Sequence, residues 1–160
     1  DERACVSLFH EWREQKQRGG SDDWACALLQ DAAGAHETAL SDAAELGLTG
    51  AVVRVGGRIR AYTMGLWLNT SVFCVLLEVA DRDIVGLGSF VFREFCRQAR
   101  AKGACWINTM DDSSLPSLDR SKRWYHPVRL LPIYVVTESS VWPPRFQPVP
   151  RVGPIPGCRS

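Results

Sequence analysis

The chain has 160 residues, 46% of them hydrophobic and 23% charged, with a formal net charge of +1. That is the size and composition of one ordinary soluble domain with a real core. It excludes a whole-molecule field that would draw nucleic acid or anionic lipid, and no apolar run approaches the ~18 residues of a membrane span. Asp1-Glu2-Arg3 has neither the layout of a secretory signal nor an initiator Met, so a fragment or a trimmed chain is an expectation to carry forward. The six cysteines form no C-x-x-C pair and no Cys/His cluster, so neither zinc nor disulfides are expected and a reducing cytoplasm fits best.

In chain order, Ala4, Cys5, Leu8, Phe9 and Trp12 recur at helical spacing, which predicts a helix over 4–17 ended by Gly19-Gly20-Ser21. A second helical pattern runs from Trp24 to Leu46, with a break expected near Gly34 and a stop at Gly47. The period then changes to two. Residues 51–55 and 58–64 flank Gly56-Gly57, the signature of a two-residue hairpin. The nearly all-apolar run Val72 to Val79 predicts a strand covered on both faces.

A helix follows over 86–102, with Leu87, Phe90, Val91, Phe95, Cys96 and Ala99 as its buried stripe. A short strand is expected over 104–108, a helix over 115–124 and a last strand over 130–136. The proline-dense remainder reads as an extended tail. The order gives an α/β (α+β) fold, a mixed β-sheet flanked by helices. No G-x-G-x-x-G or phosphate loop with Lys marks a nucleotide fold.

Three polar groups interrupt the apolar pattern where strands end. Glu78, with Asp81, Arg82 and Asp83, closes the most buried strand, where partial desolvation would raise a carboxylate toward general-base work. Gly86 and Gly88 open the long helix, and free N–H groups there could seat a phosphate or carboxylate, or simply form a tight turn.

The densest group is Asn108, Asp112, Ser113, Lys122 and Tyr125. Asp112 or Ser113 would cap the following helix, with Pro116 in its first turn, and Lys122 and Tyr125 would share a helix face. Arg120, Lys122, Arg123, His126 and Arg129 stand beside Trp124 and Tyr125, either a solvated face or one that meets RNA phosphates. No G-x-S-x-G elbow supports a serine hydrolase.

The run Asn108 to Pro127 resembles the signature of the phosphatidylglycerol lysyltransferase C-terminal domain family: Asn108, Asp112, Pro116, Leu118, Lys122, Tyr125 and Pro127 fall at its spacing. Glu78-Val79-Ala80-Asp81 followed by Gly86 is similar to its Glu-Lys-Ala-Asp and downstream Gly. Val79 in place of that Lys, Ser114 in place of a Gly and Asp83 ahead of the glycines depart from the expected patterns.

The resemblance implies a GCN5-related N-acetyltransferase (GNAT)-like fold. There two parallel strands splay, here residues 72–79 and 104–108, and a donor enters the gap. It implies residues 1–20 as an N-terminal, possibly inter-lobe, helix, 21–138 as the domain and 139–160 as the tail.

The function implied is acyl or aminoacyl transfer, with acyl-CoA or aminoacyl-tRNA as donor and a second GNAT-like lobe as partner. Glu78, Asn108, Asp112 and Tyr125 would be catalytic. Asp81, Gly86, Gly88 and Lys122 would bind donor or substrate, with no metal. The alternative is a non-catalytic lobe that binds a ligand or a partner, with the Leu8, Phe9, Trp12 face as its stem. A membrane-surface role for the basic helix is a third reading.

Overall fold

The computed structural model of the protein describes residues 1–18 and 23–134. The tail expected over 139–160 and the Gly19-Gly20-Ser21 stop lie outside them. By its contacts the chain forms two compact units, Asp1–Met110 and Asp111–Ser160.

The first unit is a four-stranded sheet with helices on both faces. Helix α1 (Glu2–Arg18) buries Cys5, Leu8 and Phe9, as its periodicity predicts. Helix α2 (Asp23–Ser41) runs through Gly34 without the expected break. Gly34 costs a helix about 1 kcal/mol, and its neighbours Ala32, Ala33 and Ala35, the best helix formers, offset that. The helix also ends before Gly47, at Ser41, whose hydroxyl donates to the Thr38 carbonyl and to Asp42 Oδ1. Gly47, at φ 64°, closes the turn that trails it.

Strands β1 (Thr49–Val55) and β2 (Arg58–Trp67) form the expected hairpin, with Gly56 and Gly57 at φ 59° and 79°. Both residues of such a turn need positive φ, which glycine adopts without strain. Strand β3 (Val72–Ala80) pairs antiparallel with β2, and β4 (Trp106–Asn108) pairs parallel with β3, giving the order β1-β2-β3-β4. Helix α3 (Leu87–Ala101) supplies the crossover connection that the parallel neighbours β3 and β4 require.

One irregularity decides which residues face which layer. The β2–β3 register passes from Met64↔Leu77 to Gly65↔Val75, leaving Leu76 as an extra residue. Before the bulge, Phe73 and Val75 pack on the α3 side with Phe95 and Ala99. After it, Leu77 and Val79 pack on the other side, with Phe9, Ala39, Tyr62 and Met64. Gly65 permits the bulge: a Cβ there would stand 2.3 Å from the Cys74 carbonyl oxygen. Coverage of β3 is therefore uneven, with Leu76 and Leu77 half-buried.

In α3 the buried stripe is Leu87, Val91, Phe95 and Ala99, but Phe90 is exposed. It lies at the rim of a groove of about 320 Å³ between β1 and α3, under the Arg93 guanidinium.

In the second unit α4 (Pro116–Arg123) follows expectation. The expected strand over 130–136 does not form in its described part: residues 130–134 are irregular and exposed. Pro132 explains this, since it removes a ladder donor from the middle of a five-residue stretch.

Candidate functional site

The parallel β3–β4 pairing holds for three residues, Val72↔Trp106, Phe73↔Ile107 and Cys74↔Asn108. There β4 ends while β3 runs on to Ala80. Among the described residues no strand pairs with the β4-side edge of β3 over Val75–Ala80. It lies beyond the carboxyl end of β4, the kind of place where open α/β sheets bind ligands.

Glu78 stands on this stretch, opposite Thr63. The bulge turns it to the α3 side, where a Cβ on Gly88 would lie 3.6 Å from Glu78 Oε1 and 3.8 Å from the Ala80 methyl. The two residues singled out separately in the sequence thus meet. Glu78 is nevertheless exposed, which corrects the expectation of a desolvated carboxylate: cover is missing at this residue, while its neighbour Val79 is fully buried on the other face of the sheet. Its charge reaches Cys96, whose thiol is pushed up to about 11, first by burial and then by Glu78.

The turn from β3 into α3 is held by Asp81, which is buried. Its Oδ2 accepts from Arg60 Nη1 at 2.6 Å and its Oδ1 accepts from the Asp83 N–H at 3.0 Å. The Asp81 N–H donates to the Arg60 carbonyl at 2.8 Å. Both carboxylate oxygens therefore serve the fold and set the position of the helix start. Arg60 was not singled out in the sequence, although the register Ala61↔Ala80 is what sets it across from Asp81.

Gly86 caps α3 at φ 79°, and no side chain caps the helix. The Leu87 and Phe90 N–H groups donate to Ile84 and Gly86 carbonyls. The amides of Gly88 and Ser89 have no backbone acceptor among the described residues, and they carry the positive end of a 15-residue helix.

At the end of β4, Asn108 Oδ1 accepts from the Met110 N–H at 2.8 Å. Met110 adopts φ 60°, and its Sδ is 3.2 Å from the buried Cys74 Sγ. The Asn108 carbonyl oxygen thus fixes the turn that ends β4.

In the second unit, Asp112 Oδ1 accepts from the Ser114 N–H at 2.9 Å, and Ser113 and Ser114 take φ 50° and 57°. Neither Asp112 nor Ser113 caps α4; the cap position is Leu115, without a side-chain bond, and Pro116 follows in the first turn as expected. The Lys122 ammonium donates to the Asp111 carbonyl. Tyr125 is half exposed and lies beyond the end of α4, not on a helix face with Lys122.

Glu78, Asp81, Gly86, Gly88 and Asn108 belong to the first unit, and Asp112, Lys122 and Tyr125 to the second. Among the described residues no group of three or more His, Cys, Asp or Glu side chains could hold a metal, and no helix is long and apolar enough to cross a membrane.

The family model "Phosphatidylglycerol lysyltransferase, C-terminal" matches residues 3–137. A conserved protein of unknown function from Bacteroides thetaiotaomicron is similar at 28% identity and a TM-score of 0.68, over 81% of this chain and 42% of that one. This chain therefore spans about two fifths of that protein. A possible acetyltransferase from Clostridium difficile is similar at 12% identity and TM-score 0.56, covering 88% of this chain and 93% of its own. A GCN5-related N-acetyltransferase from Ralstonia eutropha is similar at 14% identity and TM-score 0.53, covering 84% and 94%. The fold is that of the GCN5-related N-acetyltransferases. No curated protein matches the sequence significantly.

Proposed function

The chain belongs to the phosphatidylglycerol lysyltransferase C-terminal family, and from that membership we propose that it is an acyltransferase-like lobe that moves an acyl or aminoacyl group at the gap between β3 and β4. The observation that carries the proposal is the meeting of Glu78 with the start of α3, where the β3–β4 pairing has already ended.

Acyl transfer needs a base for the acceptor, donors for the oxyanion and an acid for the leaving group. Glu78 takes the proton from an acceptor amine or hydroxyl; its exposure suits it to an acceptor arriving from solvent. The Gly88 and Ser89 amides, at a helix start, suit a phosphate or carboxylate of the donor. The free edge of β3 offers backbone groups to an extended, amide-bearing donor arm, as a sheet edge does to a peptide.

Asn108 Nδ2 orients the donor carbonyl while its oxygen holds the Met110 turn. Within the second unit, the family pattern alone makes Asp112, Lys122 and Tyr125 candidates for a base, a holder of donor charge and an acid for the departing oxygen or sulfur. Asp81 is a positioning residue, since both its carboxylate oxygens are engaged within the fold. Acyl-CoA and aminoacyl-tRNA are the donor classes, and a second lobe of like fold is the proposed partner.

The test is transfer from acetyl-CoA and from charged tRNA to amine and lipid acceptors, measured with this chain and with any longer protein that contains it. Glu78→Gln should lower the rate about 10²-fold or more. Unchanged rates in Glu78→Gln, Asp112→Asn and Tyr125→Phe would overturn the assignment. Ligand binding without transfer would leave a non-catalytic lobe. Burial of Leu8 and Phe9 within their own unit argues against the α1 face as a stem for a partner.

A further inference from the structure

Strand β1 lies at one edge of the sheet, and among the described residues no strand pairs with its outer side. An edge of this kind is a template for a further strand, and proteins blunt it with lysine, proline or a bulge. Thr49–Val55 carries none of these. The irregularity beside it puts the extra residue, Arg60, on β2 and leaves β1 regular. Val52 and Val55 are 40% and 45% exposed.

The two faces next to this edge are only partly covered. Ala51 packs with Phe95, and Val53 with Leu87 and Val91, on the α3 side. Even so, the groove of about 320 Å³ stays open between β1 and α3, with Phe90 44% exposed at its rim. On the other face Arg54 donates to the Asp1 carboxylate, and Val52 beside it is exposed.

We infer that this edge is filled by β1 of a second copy of the chain, paired antiparallel about a two-fold axis at Val52. Such an interface is isologous, so the strand must complement itself. In this register Val52 meets its own counterpart, Ala51 meets Val53, Gly50 meets Arg54 and Thr49 meets Val55. A β-branched pair on the axis is a favourable cross-strand contact. The one charge of the strand falls opposite glycine rather than its own kind, and Asp1 balances it within the chain. Opposed residues share a face, so Ala51 and Val53 of the second copy enter on the α3 side, where the groove is open.

The seven residues of β1 span about 24 Å of edge. With the flank of α3 that is several hundred Å² per copy, below the ~800 Å² of a standard interface, so the dimer is weak and concentration-dependent. Dimerisation requires no turnover, so it stands or falls separately from the transferase reading.

The experiment is sedimentation equilibrium of the full chain over a concentration series, with hydrogen exchange of the β1 amides at its two ends. The mass should rise from one chain to two, and exchange along β1 should slow as it does. Val52→Lys sets two cations face to face on the axis and should weaken the dimer about tenfold or more, as should Val52→Glu with two carboxylates. Mixing the two variants brings opposite charges together and should restore the dimer, which misfolded variants would not do. A monomer at every concentration, a dimer that Val52→Lys leaves intact, or no restoration on mixing overturns the inference. A monomer whose β1 amides are protected at every concentration would assign the edge to a segment of its own chain instead.

Discussion

The Glu78 carboxylate lies beside Gly88: a methyl group on that glycine would sit 3.6 Å from Glu78 Oε1, at ordinary van der Waals distance. Gly88→Ala should therefore be accommodated and should stabilise the first turn of α3 by about 0.5–1 kcal/mol, read from urea unfolding. Gly88→Val places two more carbons against the carboxylate and should cut transfer at least tenfold while the protein stays folded. Equal rates in the two variants would show that Glu78 is not confined by this helix.

Asp81→Ala should be among the more costly single changes at the site. It removes the partner of Arg60, which is 31% exposed, and the acceptor of the Asp83 N–H. A loss of about 2–3 kcal/mol is expected on denaturant unfolding, somewhat below the value for a wholly buried pair. Asp81→Asn, which keeps an acceptor, should lose less. A loss under about 0.5 kcal/mol in the alanine variant would mean that the turn is held elsewhere.

The buried His36 ring shares a 2.7 Å hydrogen bond between Nδ1 and the Tyr62 hydroxyl and stacks on Phe9 at 4.3 Å. Burial pushes the imidazole down from 6.5 to about 4, so the folded state favours neutral His36. An unfolded chain binds this proton more readily than the folded one. The stabilisation is whole above pH 6.5 and drains away as pH falls toward 4, by about 3 kcal/mol in all. His36→Phe should flatten the stability profile across that window, whatever its effect at neutral pH. An unchanged slope would refute the assignment.

Cys105 is exposed, whereas Cys96 is half-buried with its thiol pushed up to about 11. Because the thiolate is the nucleophile, iodoacetamide at pH 8 should label Cys105 well before Cys96, and unfolding should equalise them. Peptide mass mapping over time gives the order. Glu78→Gln should speed Cys96 labelling modestly, since burial is the larger cause. No change at all would place Glu78 away from Cys96 in solution.

Much of the fold is legible in the residues because local chemistry governs it. Gly56-Gly57 can hardly be anything but a tight turn, and the spacing of Leu87, Val91, Phe95 and Ala99 admits one face. Errors arise where a single residue overrides a pattern. Pro132 sits inside an apolar run and denies it a ladder, and the alanines around Gly34 carry a helix through a residue that usually breaks one.

The candidate site divides in the same way. Gly86 and Glu78 are visible as interruptions. The burial of Asp81 depends on Arg60, 21 residues earlier and across a strand, which no local window contains. The division after Met110 falls at the polar run Asp111-Asp112-Ser113-Ser114, which the sequence shows as a candidate site and not as a boundary.

The additional residue Leu76 has a bearing on comparison between relatives. A homologue with a regular strand at this point would run one residue shorter before the acidic position, and an alignment that closed the gap elsewhere would match Glu78 with a side chain on the opposite face of the sheet. Transferring residue roles along this segment thus demands superposition of strands, not matching of letters. A mismatch at the glutamate position in some relative need not mean that the group itself has been lost.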